Sequence, residues 1–376
     1  MGARASVWEP VAARAGQCCG QEPLPASLYL RPASFTAACG SDRARHRRTT
    51  VHPPATAQTT AVDPASDATP QRVDASVATV RRQFARRAAG FARHDTLARE
   101  VNARMLERLA LIRHPAQCIL DLGCGAGRSR AALLERHASA QWLGVDLCEA
   151  MLAPAQERAP LRALLERIGR RFGAVAGSAA AGHGAAWRIC ADGAQLPLRD
   201  ASVDFVYSNL MLHWHPAPHA VVAEMARVLR SGGLVLFSSY GPDTLAELRE
   251  ACRLALPLAR PMPYVDMHDL GDMMVAAGFE APVMEVERLQ LTYADARQLL
   301  AEVRGLGGNP RADRAAGLPS GKQARALLAA LRARADGQGR IAMGFEIVFG
   351  HGWRAVPRSP GIATVAMPRR RAPDPR

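Results

Sequence analysis

The hydrophobic and polar positions along the central part of this chain alternate between two periods. Five short apolar runs are typical of buried strands and cover residues 117–122, 141–146, 187–190, 203–208 and 233–239. Three stretches between them have apolar positions at helical spacing and cover residues 127–137, 149–158 and 218–229. Strands that alternate with helices in this way predict an α/β fold, with a doubly wound parallel sheet and helices on both faces.

The pattern changes on either side of this region. Residues 76–112 predict one or two amphipathic helices, with Phe84, Leu97 and Val101 among the apolar positions. After a further helix at 266–277, two strands of alternating pattern cover residues 281–293 and 340–355, with helical stretches at 294–305 and 322–335 between them. This order predicts seven strands in total, the last antiparallel, with a helical insert between the two arms of the end hairpin.

Three segments lack any sustained period. Residues 1–75 are rich in Ala, Arg, Pro, Ser and Thr, and residues 356–376 form a basic, proline-containing tail, so both are expected to be disordered. Residues 159–186 contain "GAVAGSAAAGHGAA", which offers no side-chain face to bury and predicts a flexible insert.

The net charge of +14 is concentrated near the two ends of the chain. Residues 1–60, 71–115 and 354–376 carry +4, +6 and +5, which leaves residues 116–353 close to neutral. Lys322 is the one lysine, so the arginine excess indicates compositional bias rather than a phosphate-binding surface. We therefore expect no nucleic-acid partner.

Cysteines and apolar runs suggest neither metal binding nor membrane insertion. The eight cysteines include no CxxC pair, so no metal site is predicted and reduced, buried thiols are expected. No run of 18 apolar residues and no secretion signal appear, which favours a cytoplasmic protein without a membrane partner. The Arg-rich first 50 residues resemble a mitochondrial transit peptide, but they lack a clear amphipathic period and also fit an upstream start codon in a GC-rich bacterial gene.

A glycine-rich turn carries the first chemical signal. "ILDLGCGAGR" places glycines at 123, 125 and 127, but Arg128 occupies the position where a dinucleotide fingerprint needs its third glycine. Asp121 ends the preceding strand, where a carboxylate would repel a bound pyrophosphate and attract a cation. This arrangement favours S-adenosylmethionine, which has an ammonium and a sulfonium group and no phosphate.

Polar residues at the ends of three later strands agree with this interpretation. Asp146 ends the second strand and is placed to accept hydrogen bonds from both ribose hydroxyls, and Asp192 follows the third strand, where it could accept from the adenine amino group. Asn209, His213 and Trp214 follow the fourth strand at the carboxyl edge, where ligands of open α/β sheets bind. Each feature alone also fits a turn, a helix cap or a packing residue, but their joint order favours a methyltransferase fold.

With these motifs the sequence resembles the class I S-adenosylmethionine-dependent methyltransferases, and more narrowly the malonyl-[acyl-carrier protein] O-methyltransferases of biotin synthesis. The general part of the resemblance is "ILDLGCGAG", "LPLRDASVDFVYSN" and "VLRSGGLVLFSSYG". The specific part is "FARRAAGFARHD", "LMLHW", "GPDTLAELR", "VDMHDLGDMMVAAGF", "LLAEVRGLGGNP" and "FEIVFGHGW". The chain departs from the family pattern at Phe91, where a tyrosine is usual.

The resemblance implies a seven-stranded Rossmann-like domain over residues 116–355, with helical lids at 76–115 and 294–335. It also implies methyl transfer from S-adenosylmethionine to the free carboxylate of a malonyl thioester on acyl carrier protein, an early step of pimeloyl and biotin synthesis. The implied acceptor-side residues are Phe91, His213, Trp214 and Tyr240. The implied cofactor contacts are Asp121, Gly123, Cys124, Gly125, Gly127, Asp146, Leu147, Asp192, Gly193 and Asn209.

Alternative functions remain open at this level. The same specific motifs also resemble the related assembly factors of mitochondrial complex I, one of which is associated with arginine hydroxylation. No two-histidine, one-carboxylate iron site is evident, although His213, His215 and His219 lie close together in the sequence. A methyltransferase acting on another small-molecule carboxylate has the same signature, because fold does not fix function.

Overall fold

The computed structural model describes residues 76–152, 186–311, 313 and 319–356. The tails predicted at 1–75 and 356–376 lie outside these residues, apart from residue 356 itself. The insert predicted at 159–186 also lies outside them except for residue 186, which begins a strand. The description below concerns the remaining part of the chain.

A seven-stranded sheet forms the centre of the fold, in the order β3-β2-β1-β4-β5-β7-β6. The strands are β1 Cys118–Leu122, β2 Gln141–Asp146, β3 Ala186–Cys190, β4 Val203–Ser208, β5 Leu229–Tyr240, β6 Phe279–Tyr293 and β7 Ile341–Arg354. Strands β1 to β5 pair in parallel, and β7 runs antiparallel to both of its neighbours. The predicted doubly wound sheet with an antiparallel last strand is therefore confirmed.

Helices cover both faces of the sheet. They are α1 Val77–Phe91, α2 Thr96–Leu111, α3 Arg130–Arg136, α4 Glu149–Leu152, α5 Pro218–Val228, α6 Ala246–Ala255, α7 Met267–Ala276, α8 Ala296–Gly305 and α9 Gly321–Arg332. One core packs α2, α8 and α9 against one face, and a second core packs α5 and α7 against the other. Because both faces are covered, most residues of the central strands are buried, and β1 is buried along its whole length.

The amino-terminal segment forms two helices rather than one. The side chain of Ser76 caps α1 by accepting a hydrogen bond from the Thr79 amide. Helix α1 ends at Phe91, and α2 begins at Thr96 after a short turn. In α2 the buried residues recur at helical spacing and are Leu97, Val101, Met105 and Leu109. Helix α2 is thus part of the core, whereas α1 buries only Val80 and lines the cavity described below with that residue, Phe84 and Phe91.

Several element boundaries differ from the sequence prediction by one to four residues, and two of these differences have identifiable reasons. The helix expected from residue 127 begins at Arg130, because Gly127 has φ of 79° and its amide closes a turn onto the Cys124 carbonyl. The strand expected from residue 233 begins at Leu229, because pairing with β4 continues past a register shift near Val203. Both corrections come from backbone geometry that local hydrophobicity does not encode.

Removal of the Met105 side chain should test the packing of α2 on the sheet. Met105 is fully buried, so Met105→Ala should lower the free energy of unfolding by about 2 to 5 kcal/mol through lost transfer energy and the remaining cavity. Urea denaturation followed by circular dichroism would measure this. Glu107→Ala, an exposed change on the same helix, should have little effect. Equal effects of the two changes would contradict the assigned orientation of α2.

Candidate active site

A cavity of about 970 Å³ opens at the carboxyl edge of the parallel strands. Its floor comes from the segments that follow β1, β2, β3 and β4, and its roof comes from α1, the start of α2 and Leu306 after α8. The sheet topology explains the location, since the crossover connections bring the carboxyl ends of β1 to β4 to one edge. Of the sequence-predicted site residues, those that line the cavity are Phe91, Asp121, Gly123, Cys124, Gly125, Asp146, Leu147, Asp192, Gly193, Asn209, Trp214 and Tyr240.

The glycine turn holds its shape through backbone contacts with β2. The amides of Gly123 and Cys124 donate to the Val145 carbonyl at 2.7 and 3.1 Å. Gly123 has φ of 76°, and a Cβ atom there would lie 2.4 Å from the Met211 side chain. A side chain at this position would therefore be strained and would clash, which explains the glycine without any anion-binding role.

Asp121 lies beneath this turn with only 1% of its surface exposed. Its Oδ2 atom has no hydrogen-bond partner among the described residues. Burial raises the pKa of Asp121 to about 7; the indole N–H of Trp142 opposes this rise, and the nearby negative charge of Asp146 adds to it. A buried carboxylate without a counter-ion is costly, so this site favours a ligand that brings a positive group.

Asp146 is fixed in orientation by two backbone amides. Its Oδ2 accepts from Gly125 at 3.0 Å, and its Oδ1 accepts from Cys148 at 2.8 Å. Burial raises the pKa of this carboxyl above its usual value, although both hydrogen bonds oppose the shift. The second β strand thus ends in a carboxylate tied to the glycine turn, as expected for an acceptor of ribose hydroxyls.

Asp192 has a partner that sequence analysis did not assign. Its Oδ1 accepts from the Ala194 amide at 2.9 Å and from His215 Nε2 at 3.0 Å. The Ala217 amide donates to His215 Nδ1, which places the ring proton on Nε2. Burial opposes ionisation, but the hydrogen bonds from His215 and Ala194 hold the pKa of Asp192 below its usual value. Asp192 therefore presents a persistent negative charge beside the cavity.

Aromatic side chains form the opposite part of the wall. The Phe84 ring packs edge-on against Trp214 with centroids 5.3 Å apart, and Phe84 also contacts Phe91 at 6.2 Å. These contacts join α1 to the segment after β4, and Tyr240 at the end of β5 completes the wall. The predicted aromatic residues are thus brought together from three separate regions of the chain.

Three predicted residues have different surroundings from those expected. Gly127 does not line the cavity and lies beside the Arg188 and Trp142 side chains. His213 lies behind the wall, stacked on Tyr240 with centroids 4.0 Å apart, and its Nδ1 accepts from the Tyr240 amide. Complete burial lowers the pKa of His213 to about 3, so the ring is neutral. Asn209 borders the cavity, but its amide donates to the Ala98 carbonyl and accepts from Ser238, so it links α2 to β5.

The described residues contain no group of three metal-ligating side chains that could hold a metal ion. His213 and His215, which are close in the sequence, engage the Tyr240 amide and Asp192 instead. In the same part of the chain no helix is both long and apolar enough to cross a membrane.

The polar groups that line the cavity match those of S-adenosylmethionine. The unpartnered, buried Oδ2 of Asp121 matches a positive amino-acid group, and Asp146 matches a pair of ribose hydroxyls. Positive φ angles at Gly123 and Gly125 favour glycine, so the turn beside these two carboxylates carries no side chain at either position. Asp121, Asp146 and the turn would therefore hold the cofactor, and no group of the turn requires a phosphate.

Comparison with known proteins supports this assignment. Residues 120–237 match the family model of a methyltransferase domain. A malonyl-[acyl-carrier protein] O-methyltransferase from Laribacter hongkongensis is 39% identical over 280 residues, which cover 74% of this chain and 90% of that protein. Its counterpart from Methylovorus sp. is 36% identical over 280 residues, covering 74% and 88%. A solved structure of a putative methyltransferase from Bacillus halodurans, 18% identical, covers 68% of this chain and 99% of its own with a TM-score of 0.45.

Fold, cavity and domain match together define the chain as a methyltransferase with S-adenosylmethionine as the methyl donor. Within that class the chain belongs to the malonyl-[acyl-carrier protein] O-methyltransferase family.

Binding of the cofactor should depend on pH through Asp121. Its pKa of about 7 means that the carboxyl becomes protonated as the pH falls through 7, and a protonated carboxyl attracts a cation less strongly. The affinity for S-adenosylhomocysteine, which keeps the ammonium group, should fall about tenfold from pH 7.5 to pH 6. Isothermal titration calorimetry at several pH values would measure the change.

Asp121→Asn is the matched control for this titration. The asparagine side chain has the same shape as aspartate but no charge. The affinity of the variant for S-adenosylhomocysteine should therefore be lower and should vary less over the same pH range. A wild-type affinity that stayed constant between pH 8 and pH 5.5 would show that Asp121 does not pair with the ligand cation.

Proposed function

We propose that this protein transfers a methyl group from S-adenosylmethionine to the free carboxylate of a malonyl thioester carried by acyl carrier protein. The family supports this acceptor, since the relatives at 39% and 36% identity are named for it. The product would be a methyl ester, which hides the charge of the malonyl group and suits an early step of pimeloyl and biotin synthesis. The relatives are bacterial, which supports a cytoplasmic bacterial enzyme over a mitochondrial one.

The observation that carries the proposal is the chemistry of the aromatic wall. Tyr240 lines the cavity, and burial raises its pKa, so it does not become a phenolate base near neutral pH. His213 behind it has a pKa of about 3 and is a weak base. A wall without an effective base suits an acceptor that is already ionised, and a carboxyl group with a pKa of about 4 is such an acceptor at neutral pH.

S-adenosylmethionine, when bound, would supply a methyl group on a positively charged sulfur: an acceptor oxygen would bond to the methyl carbon, and the electron pair of the broken carbon–sulfur bond would remain on sulfur. The residues of the chain then have to bind, align and exclude water. Alignment alone can contribute up to about 7 to 11 kcal/mol in favourable cases. Phe84, Trp214 and Tyr240 keep the wall apolar, and water excluded there cannot stabilise the separate charges that the reaction neutralises.

Two helical regions would act as lids over this site. Helix α1 and the segment after α8 meet above the cavity, where Arg87 Nε donates to the Arg304 carbonyl and Gln83 donates to the Asn309 carbonyl. The Trp214 ring lies so close to Gly307 that a Cβ atom there would be 2.4 Å away. These contacts lie within the predicted lid regions 76–115 and 294–335 and support a lid role for α1 and the segment after α8, whereas α9 packs in the core.

Methyl transfer from labelled S-adenosylmethionine would test the proposed acceptor. The full chain should label malonyl-acyl carrier protein and should leave acetyl-acyl carrier protein unlabelled, because the acetyl thioester has no free carboxylate. Intact-protein mass spectrometry should show a gain of one methyl group on the malonyl form. Binding of S-adenosylhomocysteine without transfer to the malonyl carrier would overturn this acceptor and favour the assembly-factor or hydroxylase alternative, or another carboxylate.

The exposed face of α1 is the proposed docking surface for the carrier. This helix has no acidic residue, and its exposed arginines Arg82 and Arg86 have no carboxylate partner among the described residues. Acyl carrier protein is acidic, so complementary charge would bring the thioester arm to the helix that roofs the cavity.

Charge reversal on α1 should separate docking from chemistry. The double change Arg82→Glu and Arg86→Glu should raise KM for malonyl-acyl carrier protein at least tenfold and leave kcat/KM for malonyl-pantetheine, which has no carrier, unchanged. Arg136→Glu at the end of α3, near the opposite edge of the sheet, is the control and should affect neither substrate. An equal loss with both substrates would argue against a carrier-specific surface.

A further inference from the structure

A cluster of one buried acid and two arginines borders the cavity on the side of the glycine turn. Asp95, between α1 and α2, is 1% exposed. Its Oδ1 lies 3.2 Å from Arg99 Nε, and its Oδ2 lies 2.6 Å from Arg128 Nε. Arg128 directly follows the last glycine of the turn, so the cluster joins the roof of the cavity to its floor.

These ion pairs leave binding capacity on both arginines. The two carboxylate oxygens of Asp95 have no contact with hydrogen-bond geometry, so charge rather than directed hydrogen bonds holds the guanidinium groups there. Arg99 makes one long hydrogen bond, from Nη2 to Thr96 at 3.4 Å, and Arg128 donates no side-chain hydrogen bond to any described residue. Both side chains are about half exposed, at 59% and 46%, and both line the cavity.

The charge of the cluster differs from that of the rest of the cavity floor. Two guanidinium groups and one carboxylate give a net charge of +1, whereas the floor elsewhere carries Asp121, Asp146 and Asp192. The remaining basic side chain of the described lining, Arg81, is apart from the cluster and acts electrostatically on Asp192. The cavity therefore has a cation-binding part under the turn and an anion-binding part beside it.

We propose that Arg99 and Arg128 bind a carboxylate group in this cavity, with Asp95 as the residue that positions them. A guanidinium fork matches a carboxylate geometrically, and each arginine has terminal N–H groups left to donate. The Asp95 carboxylate offsets the repulsion between the Arg99 and Arg128 guanidinium groups, which would otherwise favour side-chain orientations towards solvent. Both reactants carry a carboxylate: the methyl donor in its amino-acid group and the acceptor in its malonyl group. The malonyl group as a ligand rests on the proposed function, whereas the carboxylate of the methyl donor does not.

The test compares ligands with and without the amino-acid carboxylate. Calorimetry would measure the affinities of the full-length protein for S-adenosylhomocysteine, which has that group, and for 5′-methylthioadenosine, which lacks it. The variants are Arg99→Gln, Arg128→Gln and Asp95→Asn, with Arg128→Lys to ask whether a point charge can replace the fork. Arg253→Gln, an exposed arginine paired with Glu250 outside the cavity, is the matched control. Circular dichroism melts would confirm that each variant folds.

If the cluster binds the donor's carboxylate, Arg128→Gln and Arg99→Gln should each weaken S-adenosylhomocysteine at least tenfold and change 5′-methylthioadenosine less than twofold. Asp95→Asn should show the same selective loss, which a general structural defect would not produce. If the cluster binds the malonyl carboxylate, both affinities should stay unchanged and KM for malonyl-acyl carrier protein should rise at least tenfold.

Either selective pattern supports the carboxylate site and identifies its source. Equal weakening of the two nucleosides, or no change in either affinity and in KM, would overturn the proposal. The calorimetric comparison needs no acyl acceptor, so it remains decisive for the donor's carboxylate even if malonyl-acyl carrier protein proves not to be the substrate.

Discussion

The burial of Asp121 is the constraint on which the site depends. The first strand carries this carboxylate into the protein beneath the glycine turn, where it has only 1% exposure and one oxygen without a partner. Such a group is unfavourable on its own, and its raised pKa expresses that cost. A ligand with a positive group removes the cost. This interaction between Asp121 and a positive ligand group is enclosed by the glycine turn, the ends of the neighbouring strands and the roof.

The roof and floor of the cavity come from parts of the chain that are distant in sequence. The floor belongs to the parallel strands, which hydrogen bonds fix rigidly, whereas the roof belongs to α1 and the segment after α8. Contacts such as Gln83 with the Asn309 carbonyl join the two roof segments. The floor carboxylates Asp146 and Asp192 are held by partners in the floor itself rather than by the roof.

The two sides of the cavity have different chemical roles in a methyl transfer. The acidic floor provides charge and hydrogen-bond acceptors, and the aromatic wall provides an apolar surface with neutral His213 behind it. The aromatic wall offers no effective base, which is consistent with an acceptor that arrives ionised. Catalysis by such a site would come from alignment and exclusion of water rather than from proton transfer.

Local patterns in the sequence were enough to predict the alternation of strands and helices, the position of the glycine turn and the acids at the ends of β1 and β2. These features are local: a buried strand needs an apolar run, and a backbone at positive φ needs glycine, so each can be recognised without its neighbours. Tertiary packing, by contrast, places His213 behind Tyr240, Asn209 between α2 and β5, and His215 against Asp192. It also brought Arg128 to Asp95, although the arginine in the turn and the acid between two helices gave no sign of pairing. Such contacts depend on how separate elements pack, and side-chain packing between distant segments leaves no period in the sequence.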